Sequence, residues 1–475
     1  MKWIEIVFVL LMGGVLFWPA RNVPYYYDDY PHFVENRRIL NPHNASDIFR
    51  NGLQETRPVY NLSLAGQGAL AGTNARAAHM GNIALHTANA ALLFLLLSRE
   101  IGPGLIPFFS SVVFLCHPAT IESVAYFNSR STLLAVLFGL LSLLLLFSSR
   151  RALRVLGIAA LILAIGSKED GIVSVGWILL LHLWRLRKGR PALSMPFLFA
   201  SLGTLVTLPL LYLLFRSPHV NSIGAGVENP FLYLWKQGVY VPLHLSVFFI
   251  PWPLTLDRDL PSWLFSPWLV ATGWILMGGL VVGVWRKLDR IWALGLAMAL
   301  IGLAPTHSVV PLLDLQATRV LYPMLVGLSL FTVAFLNGVW FERKRLTYVL
   351  SIGLVFLMAS LARGEIRVWM DPVALWRRDA HFAPSRFRSW VNYAIELGER
   401  GRWDEAESAI GRAAALEPHH PSVLYNAAVI NGTRPGSKRD VPLALRELNE
   451  LLRIDPAHER GKALKTRLER ENPAP

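Results

Sequence analysis

Tyr25-Tyr26-Tyr27-Asp28-Asp29-Tyr30 sets two adjacent carboxylates among tyrosines just beyond Trp3 to Pro19, a segment apolar enough to span or nearly span a hydrocarbon core. No small-residue cleavage site follows that segment, so it reads as a retained helix and not as a removed signal peptide. Polar and mixed sequence then continues to the next apolar run, near His79. The acid pair therefore opens a large extramembrane loop instead of closing a hairpin. Ionisable groups are costly at a bilayer surface, and a pair of them there points to a reaction centre at one membrane face.

The rest of the chain agrees with a membrane setting. Of its 475 residues 53% are hydrophobic and 16 are Trp, too apolar for an ordinary soluble fold. Runs that could cross a bilayer fall at 3–20, 79–98, 104–116, 131–149, 152–166, 171–184, 194–215, 266–285, 291–305, 320–340 and 346–363. The expected fold is thus all-α, a polytopic membrane helical bundle of about 11 spans. The formal charge of +14 does not call for a nucleic acid, because much of it lies in short clusters between apolar runs. Those clusters are Arg150/Arg151/Arg154, Arg185/Arg187/Lys188/Arg190, Arg286/Lys287/Arg290 and Arg343/Lys344/Arg345, on alternate connections. If all four face the cytoplasm, so does Met1, while Asp28, Asp29 and the C-terminal part lie on the far side. The run from Phe231 to Pro253 would invert the later clusters if it crossed fully. Pro242, Pro251 and Pro253 suggest a broken, re-entrant or surface-lying helix there. The single cysteine, Cys116, excludes an intrachain disulfide.

Past Arg363 the sequence turns rich in Glu, Arg and Ala. Trp390, Ala394, Leu397, Gly401, Trp403, Ala406, Ala413 and Pro418 fall at the spacings of a tetratricopeptide unit. A looser copy runs through Tyr425, Ala428, Ala444, Leu448 and Pro456, displaced by 38 residues, with the extra residues in the connection around Thr433 to Asp440. So short an array needs flanking helices, expected at Pro372 to Ala380 and Gly461 to Arg470. A generic helical hairpin tail is the alternative.

Chemistry-bearing residues gather on the side that carries Asp28. His79, Asn82, His86 and Asn89 share one stripe of the second span; the deeper His86 and Asn89 suit interhelical hydrogen bonding as well as function. The next connection reads His117-Pro118, Glu122, Asn128 and Arg130, and the following one Ser167-Lys168-Glu169-Asp170-Gly171. Lys168-Glu169 could be a satisfied ion pair at a helix end or a substrate-binding pair. Pro305 to Pro323 adds His307, Asp314, Arg319 and Tyr322. A carboxylate facing Arg or Lys across a membrane-surface cavity suits transfer of a group from an anionic lipid carrier: the base deprotonates an acceptor hydroxyl and the cation stabilises the departing phosphate. Tyr25 to Tyr27, Trp252, Trp263 and Trp268 suit interfacial anchors or sugar-stacking platforms.

The order of these motifs resembles that of the transmembrane and tetratricopeptide repeat-containing proteins, and more distantly the protein O-mannosyltransferases, of the C-type (GT-C) glycosyltransferase superfamily. It runs through Asp28-Asp29 with Asn36, Arg57-Pro58, His79 with Asn82 and His86, His117-Pro118 with Glu122 and Arg130, Lys168-Glu169, Ala304-Pro305-Thr306, Arg319 with Tyr322-Pro323, then the repeats. The resemblance implies a GT-C-like membrane domain at 1–366 and a lumenal or periplasmic tetratricopeptide domain at 367–475. It also implies transfer of a hexose, mannose first, from a polyprenyl phosphate to protein hydroxyls. In that frame Asp28 is the expected general base, with Asp29 and Glu122 orienting the acceptor or binding metal. Lys168 and Arg319 hold the donor phosphate, with Arg130 a further cation. His79, Asn82, His117, Glu169 and Tyr322 contact substrate. Use of a divalent metal stays open; if one is bound, Asp28 and Asp29 are its ligands. The small number of repeats and the Arg-rich loops favour a bacterial inner-membrane protein with a cytoplasmic N-terminus and periplasmic repeats. A transferase acting on lipid A or polysaccharide, or a non-catalytic scaffold or lipid transporter, are the rival readings.

Overall fold

A computed structural model describes residues 2–43, 45–49, 56–207, 209–210, 228–251, 253–308, 311–312, 317–339, 344–436 and 439–472. Trp252, Asp314 and Arg343 lie outside the described residues. The longer helices are α1 (Lys2–Phe17), α2 (Pro58–Ala71), α3 (Ala75–Ile101), α4 (Leu105–Cys116), α5 (Arg130–Leu146), α6 (Arg151–Ser167), α7 (Val173–Arg187), α8 (Met195–Gly203), α9 (Pro230–Phe249) and α10 (Pro267–Arg286). They continue with α11 (Ile291–Leu303), α12 (Tyr322–Val339), α13 (Lys344–Trp369), α14 (Pro372–Phe382), α15 (Phe387–Glu399), α16 (Trp403–Leu416), α17 (Pro421–Thr433), α18 (Val441–Ile454) and α19 (Glu459–Glu471). Two compact units result: Met1–Leu254 with Ser262–Met370, and Thr255–Pro261 with Asp371–Pro475.

The first unit is an all-α membrane bundle. Among the described residues, six helices are long and apolar enough to cross a bilayer: Trp3–Asn22, Ala75–Ile101, Phe127–Leu146, Pro267–Arg286, Thr318–Val339 and Arg345–Trp369. A bent pair, Leu105–Cys116 with Pro118–Ala125, adds a seventh if it counts as one span, and Met195–Val206 and Ile291–Leu303 are shorter apolar helices. The chain is therefore a multi-pass membrane protein. Small residues bring the helices close, as expected where no water drives them together. A methyl group on Gly302 of α11 would lie 2.7 Å from the Met324 amide nitrogen of α12, and one on Gly13 would lie 2.5 Å from Thr87 Oγ1 of α3.

Of the broken, re-entrant or surface-lying helix expected between Phe231 and Pro253, the broken form is not observed, since α9 runs unbroken through Pro242. Pro242 cannot donate to the Gly238 carbonyl, but that carbonyl is turned onto Gly273 of α10, so closely that a methyl there would stand 1.7 Å from the oxygen. The neighbouring backbone thus takes up part of what the proline gives away. At the opposite end of the bundle from Asp28, arginines cap helix C-terminal carbonyls: Arg187 Nη1 donates to Trp285 O at 2.5 Å, and Arg190 donates to the carbonyl of Glu100. The buried Glu100 side chain pairs with Arg99 at 2.8 Å and Arg185 at 3.7 Å.

The second unit stacks helical hairpins. Ala394, Leu397, Ala406 and Ala413 lie in one core, while Ala428, Ala444 and Leu448 lie in the next. Gly401, at φ +72°, makes the turn between α15 and α16, a conformation that favours glycine. α14 and α19 cover the stretches expected to flank the hairpins. Trp390 is only half-buried, its indole donating to Pro384 O at 3.0 Å beneath the Arg412 guanidinium. A strap from the membrane domain's own sequence, Thr255–Pro261, belongs to this unit. Asp379, buried, accepts from the amides of Leu256 (2.9 Å) and Asp257 (3.0 Å) and from Ser389 Oγ (2.5 Å). Asp259 in turn takes the amide and hydroxyl of Ser385.

Candidate functional site

The acid motif is held by its own backbone. α1 ends at Phe17, and Trp18–Asn22 turns the chain into the extended Val23. Tyr27 then adopts φ +41°, the one non-glycine residue with positive φ among the described residues, before the tight turn Tyr30–Val34. Such a conformation costs of order 1–2 kcal/mol and persists only where the surroundings fix it. Asp29 fixes it from one side. Its Oδ2 accepts from Tyr26 N at 2.9 Å, its Oδ1 from Asn128 N at 2.8 Å, and the side chain is buried. That carboxylate sews the first large connection to the one that follows α4. Burial pushes the Asp29 carboxyl up to about 8, against the pull of the Tyr26 and Asn128 amides and with a further push from Asp28.

Asp28 differs from its neighbour. It is half-buried, and its Oδ2 accepts from the Tyr126 hydroxyl at 2.8 Å. The Arg319 guanidinium lies 5.6 Å from the centre of the same Tyr126 ring. Arg319 is gripped by Glu122, whose Oε1 pairs with Nη1 at 2.5 Å while Oε2 accepts from Arg319 N at 3.1 Å and Thr318 Oγ1 at 2.7 Å. Glu122 is buried at 2% exposure, whereas the Arg319 side chain keeps 20%. A carboxylate, a phenol and an anchored guanidinium thus follow one another, the phenol buried between two partly exposed charged groups.

A second arm runs the other way. Tyr60 OH donates to Asn128 Oδ1 at 2.5 Å, and the His32 imidazole lies near Asn128, Asp28 and Arg57. Burial holds the His32 pKa low, against a rise from Asp28 and Asn128. Arg57 clasps Glu169 with Nε at 3.0 Å and Nη2 at 2.9 Å, and Thr56 Oγ1 adds 3.0 Å to the same carboxylate. Burial would raise the Glu169 carboxyl, but Arg57 outweighs it and holds it below the usual range. The ion pair weighed for Lys168 and Glu169 is therefore replaced by two others. Lys168 Nζ pairs with Asp170 at 2.5 Å and donates to Thr132 Oγ1 at 3.1 Å. Lys168, just before the short turn Glu169–Ile172, and Glu169, its first residue, thus find different partners, which adjacency in sequence cannot reveal.

The remaining expected contacts lie deeper. Arg130 is 4% exposed, donating to Asn82 Oδ1 (2.9 Å), Ala78 O (2.8 Å) and Gln67 Oε1 (3.2 Å) over the Phe127 ring. Asn82 also reaches the Val124, Tyr126 and Phe127 carbonyls, so this pair fixes the shape of the connection that carries Tyr126. His79 is buried between Tyr25 and Phe127, its nitrogens near the carbonyls of Val23, Pro24 and Val124 without making a hydrogen bond of normal geometry. His117 stacks on Phe248, donates Nε2–H to Phe248 O (2.9 Å) and accepts from Ala119 N, an assignment that follows from the partners. Tyr322 is fully buried, its hydroxyl shared by His86 (2.7 Å) and Asn89 (3.0 Å). His307 bonds His244 of α9 at 2.6 Å. Tyr126, Tyr60, Thr318 and His32 were missed from sequence: aromatics and hydroxyls near membrane faces are common, and only contact with the carboxylates marks these. Among the described residues, no three His, Cys, Asp or Glu side chains group as a metal site would need.

No family model matches the chain. It is 25% identical over 382 residues to Protein O-mannosyl-transferase F38B6.6 of Caenorhabditis elegans, covering 78% of this chain and 55% of that protein. It is 29% identical over 144 residues to Protein O-mannosyl-transferase TMTC2 of Mus musculus, covering 28% of this chain and 17% of that protein. The chain thus spans about half the length of the first relative and less of the second. Both bear out the resemblance to the transmembrane and tetratricopeptide repeat-containing family.

Proposed function

We propose that this relative of the protein O-mannosyl-transferases is itself a glycosyltransferase, moving a hexose, mannose first, from a polyprenyl phosphate to hydroxyl groups of proteins. The observation that carries the reading is the Asp28–Tyr126–Arg319–Glu122 sequence of contacts, in which a half-buried carboxylate and an anchored cation flank one phenol. Asp28 takes the proton of the acceptor hydroxyl as the new oxygen–C1 bond forms. The bond from C1 to the phosphate oxygen breaks with inversion, and the polyprenyl phosphate leaves as an anion stabilised by Arg319 and Lys168. Asp29 shapes the turn that presents Asp28, Glu122 aims Arg319, and the Arg57–Glu169 pair fixes the arm beyond Asn128. Arg130, Asn82, His117, Tyr322 and the fully buried His79 act from behind, by fixing the connections that carry the reacting groups. If a divalent ion is used, Asp28 is its most accessible ligand.

In this reading the Asp28 face looks away from the cytoplasm, in a bacterial inner membrane, and the hairpins of the second unit are tetratricopeptide repeats that receive the protein acceptor. Mass spectrometry of proteins and glycolipids from cells with and without the chain tests it. Hexose missing from protein hydroxyls alone supports it; loss confined to lipid A or polysaccharide would move the acceptor to those molecules, and no change in either would leave a scaffold.

A further inference from the structure

We infer that Trp369, the last residue of α13, is a positioning residue that orients both acids of the motif through two tyrosines, an inference that rests on the reaction proposed above. Asp28 is oriented by the Tyr126 hydroxyl and Asp29 by the Tyr26 amide. Both tyrosines lean on the same indole. The Tyr26 ring meets it edge-on at 5.5 Å and 88°, and the Tyr26 hydroxyl donates to Trp369 O at 2.5 Å, across 343 residues of chain. The Tyr126 ring lies 6.4 Å from the indole at 32°. Trp369 is 2% exposed, Tyr26 4% and Tyr126 5%, so none of the three has room to swing. The indole is pinned in turn, its Nε1 donating to Glu365 Oε1 one helical turn back at 3.1 Å.

Packing alone would need apolar neighbours of matching shape and nothing more. Here the rings that touch the tryptophan belong to the two residues that hold the acids, Tyr126 through its hydroxyl on Asp28 and Tyr26 through its backbone amide on Asp29. Between Tyr26 and the acid pair lies Tyr27 at φ +41°, which must be clamped to stay there. Asp29 closes one side of that clamp through the Tyr26 amide, and Trp369 closes the other through the Tyr26 ring and hydroxyl. A shift of the indole would therefore turn the Tyr126 phenol off Asp28 and relax the strained turn together. An active-site group displaced by about 1 Å loses roughly 100-fold in rate.

The test places a fluorotyrosine at position 126 of the full chain in lipid nanodiscs. Its fluorine resonance reports the phenol's contact with Asp28 independently of turnover, and Asp28→Asn sets the reference shift. Trp369→Leu is expected to move the resonance toward that reference, and to lower kcat for sugar transfer roughly 10- to 100-fold with the donor KM retained. Trp369→Phe, which keeps a ring, should recover most of the loss. In a Tyr126→Phe background Trp369→Leu should cost little more, because both act on one contact. A resonance that stays in place, losses that multiply in the double variant, or a change confined to KM would overturn the inference. A resonance that moves as expected in a protein showing no transfer at all would uphold the brace and defeat the proposed reaction. Should Trp369→Leu not fold, Glu365→Ala, which removes the indole's acceptor, is expected to move the same resonance in the same direction.

Discussion

Replacing Glu122 by Gln isolates the charge in the Glu122–Arg319 contact while keeping its shape. The carboxylate takes three donors: Arg319 Nη1 at 2.5 Å on Oε1, with Thr318 Oγ1 at 2.7 Å and Arg319 N at 3.1 Å on Oε2. A Gln amide oxygen can keep the last two, but its NH2 then faces the guanidinium donor to donor. Loss of one charge-assisted bond is worth about 1.5–3 kcal/mol, and because the Arg319 side chain keeps 20% exposure, water recovers part, leaving about 1–2 kcal/mol. Glu122→Ala strands all three donors around a site that is 2% exposed, and should cost about 3–5 kcal/mol. If Arg319 grips the leaving phosphate, a guanidinium released from its anchor also binds polyprenyl phosphate less well, by roughly 5- to 30-fold for the Gln variant. Heat unfolding in nanodiscs and titration with polyprenyl phosphate give the two quantities. A Gln variant with wild-type melting and wild-type affinity would refute both the energetic reasoning and the anchoring role.

Other outcomes follow from the same geometry. Burial raises the Asp29 carboxyl to about 8, so between about pH 4 and 8 the folded state holds a proton that the unfolded state has already released. That contribution to stability is present at low pH and is lost as pH rises through the window; Asp29→Asn should flatten the decline in melting temperature between pH 5 and 8, and an unchanged slope would contradict the burial argument. Lys168→Ala should weaken binding of polyprenyl phosphate without changing the melt greatly, whereas a collapsed melt with unchanged affinity would make Lys168 and Asp170 a structural pair. Asp379→Ala leaves the Leu256 and Asp257 amides without their acceptor, at about 2–4 kcal/mol, and should open residues 371–475 to limited proteolysis. Transfer to a full-length acceptor should then fall while transfer to a short peptide is spared; equal effects on both would remove the hairpins from acceptor delivery.

The membrane bundle was legible because apolar length alone announces a spanning helix, and the hairpins because small residues recur where helices must touch. Asp28, Glu122 and Arg319 were legible as charges that had no reason to lie among apolar runs. What pairs with what was not. Glu169 finds Arg57 and Lys168 finds Asp170, partners that adjacency in sequence cannot reveal. Asp29 looked equivalent to Asp28 until burial and two amides separated them. Tyr322 and Asn82 stood at the right end of their helices, yet their polar atoms are spent on His86, Asn89, Arg130 and backbone carbonyls. Pro242 misled in the other direction, since the Gly238–Gly273 crossing that takes up its orphaned carbonyl joins residues far apart in the chain. The strap at Thr255–Pro261 carried no local signal, for its partner Asp379 lies more than a hundred residues on.

The most direct test of the central claim is a single-turnover assay of the full chain in nanodiscs, given radiolabelled polyprenyl-phosphate mannose and an unglycosylated protein acceptor, beside the Asp28→Asn variant. The account predicts alkali-labile, inverted mannose on Ser or Thr of the acceptor, with the variant slower by roughly two to four orders of magnitude and its donor affinity preserved. Label that never reaches the protein, or transfer that proceeds equally well without the Asp28 carboxylate, would contradict it.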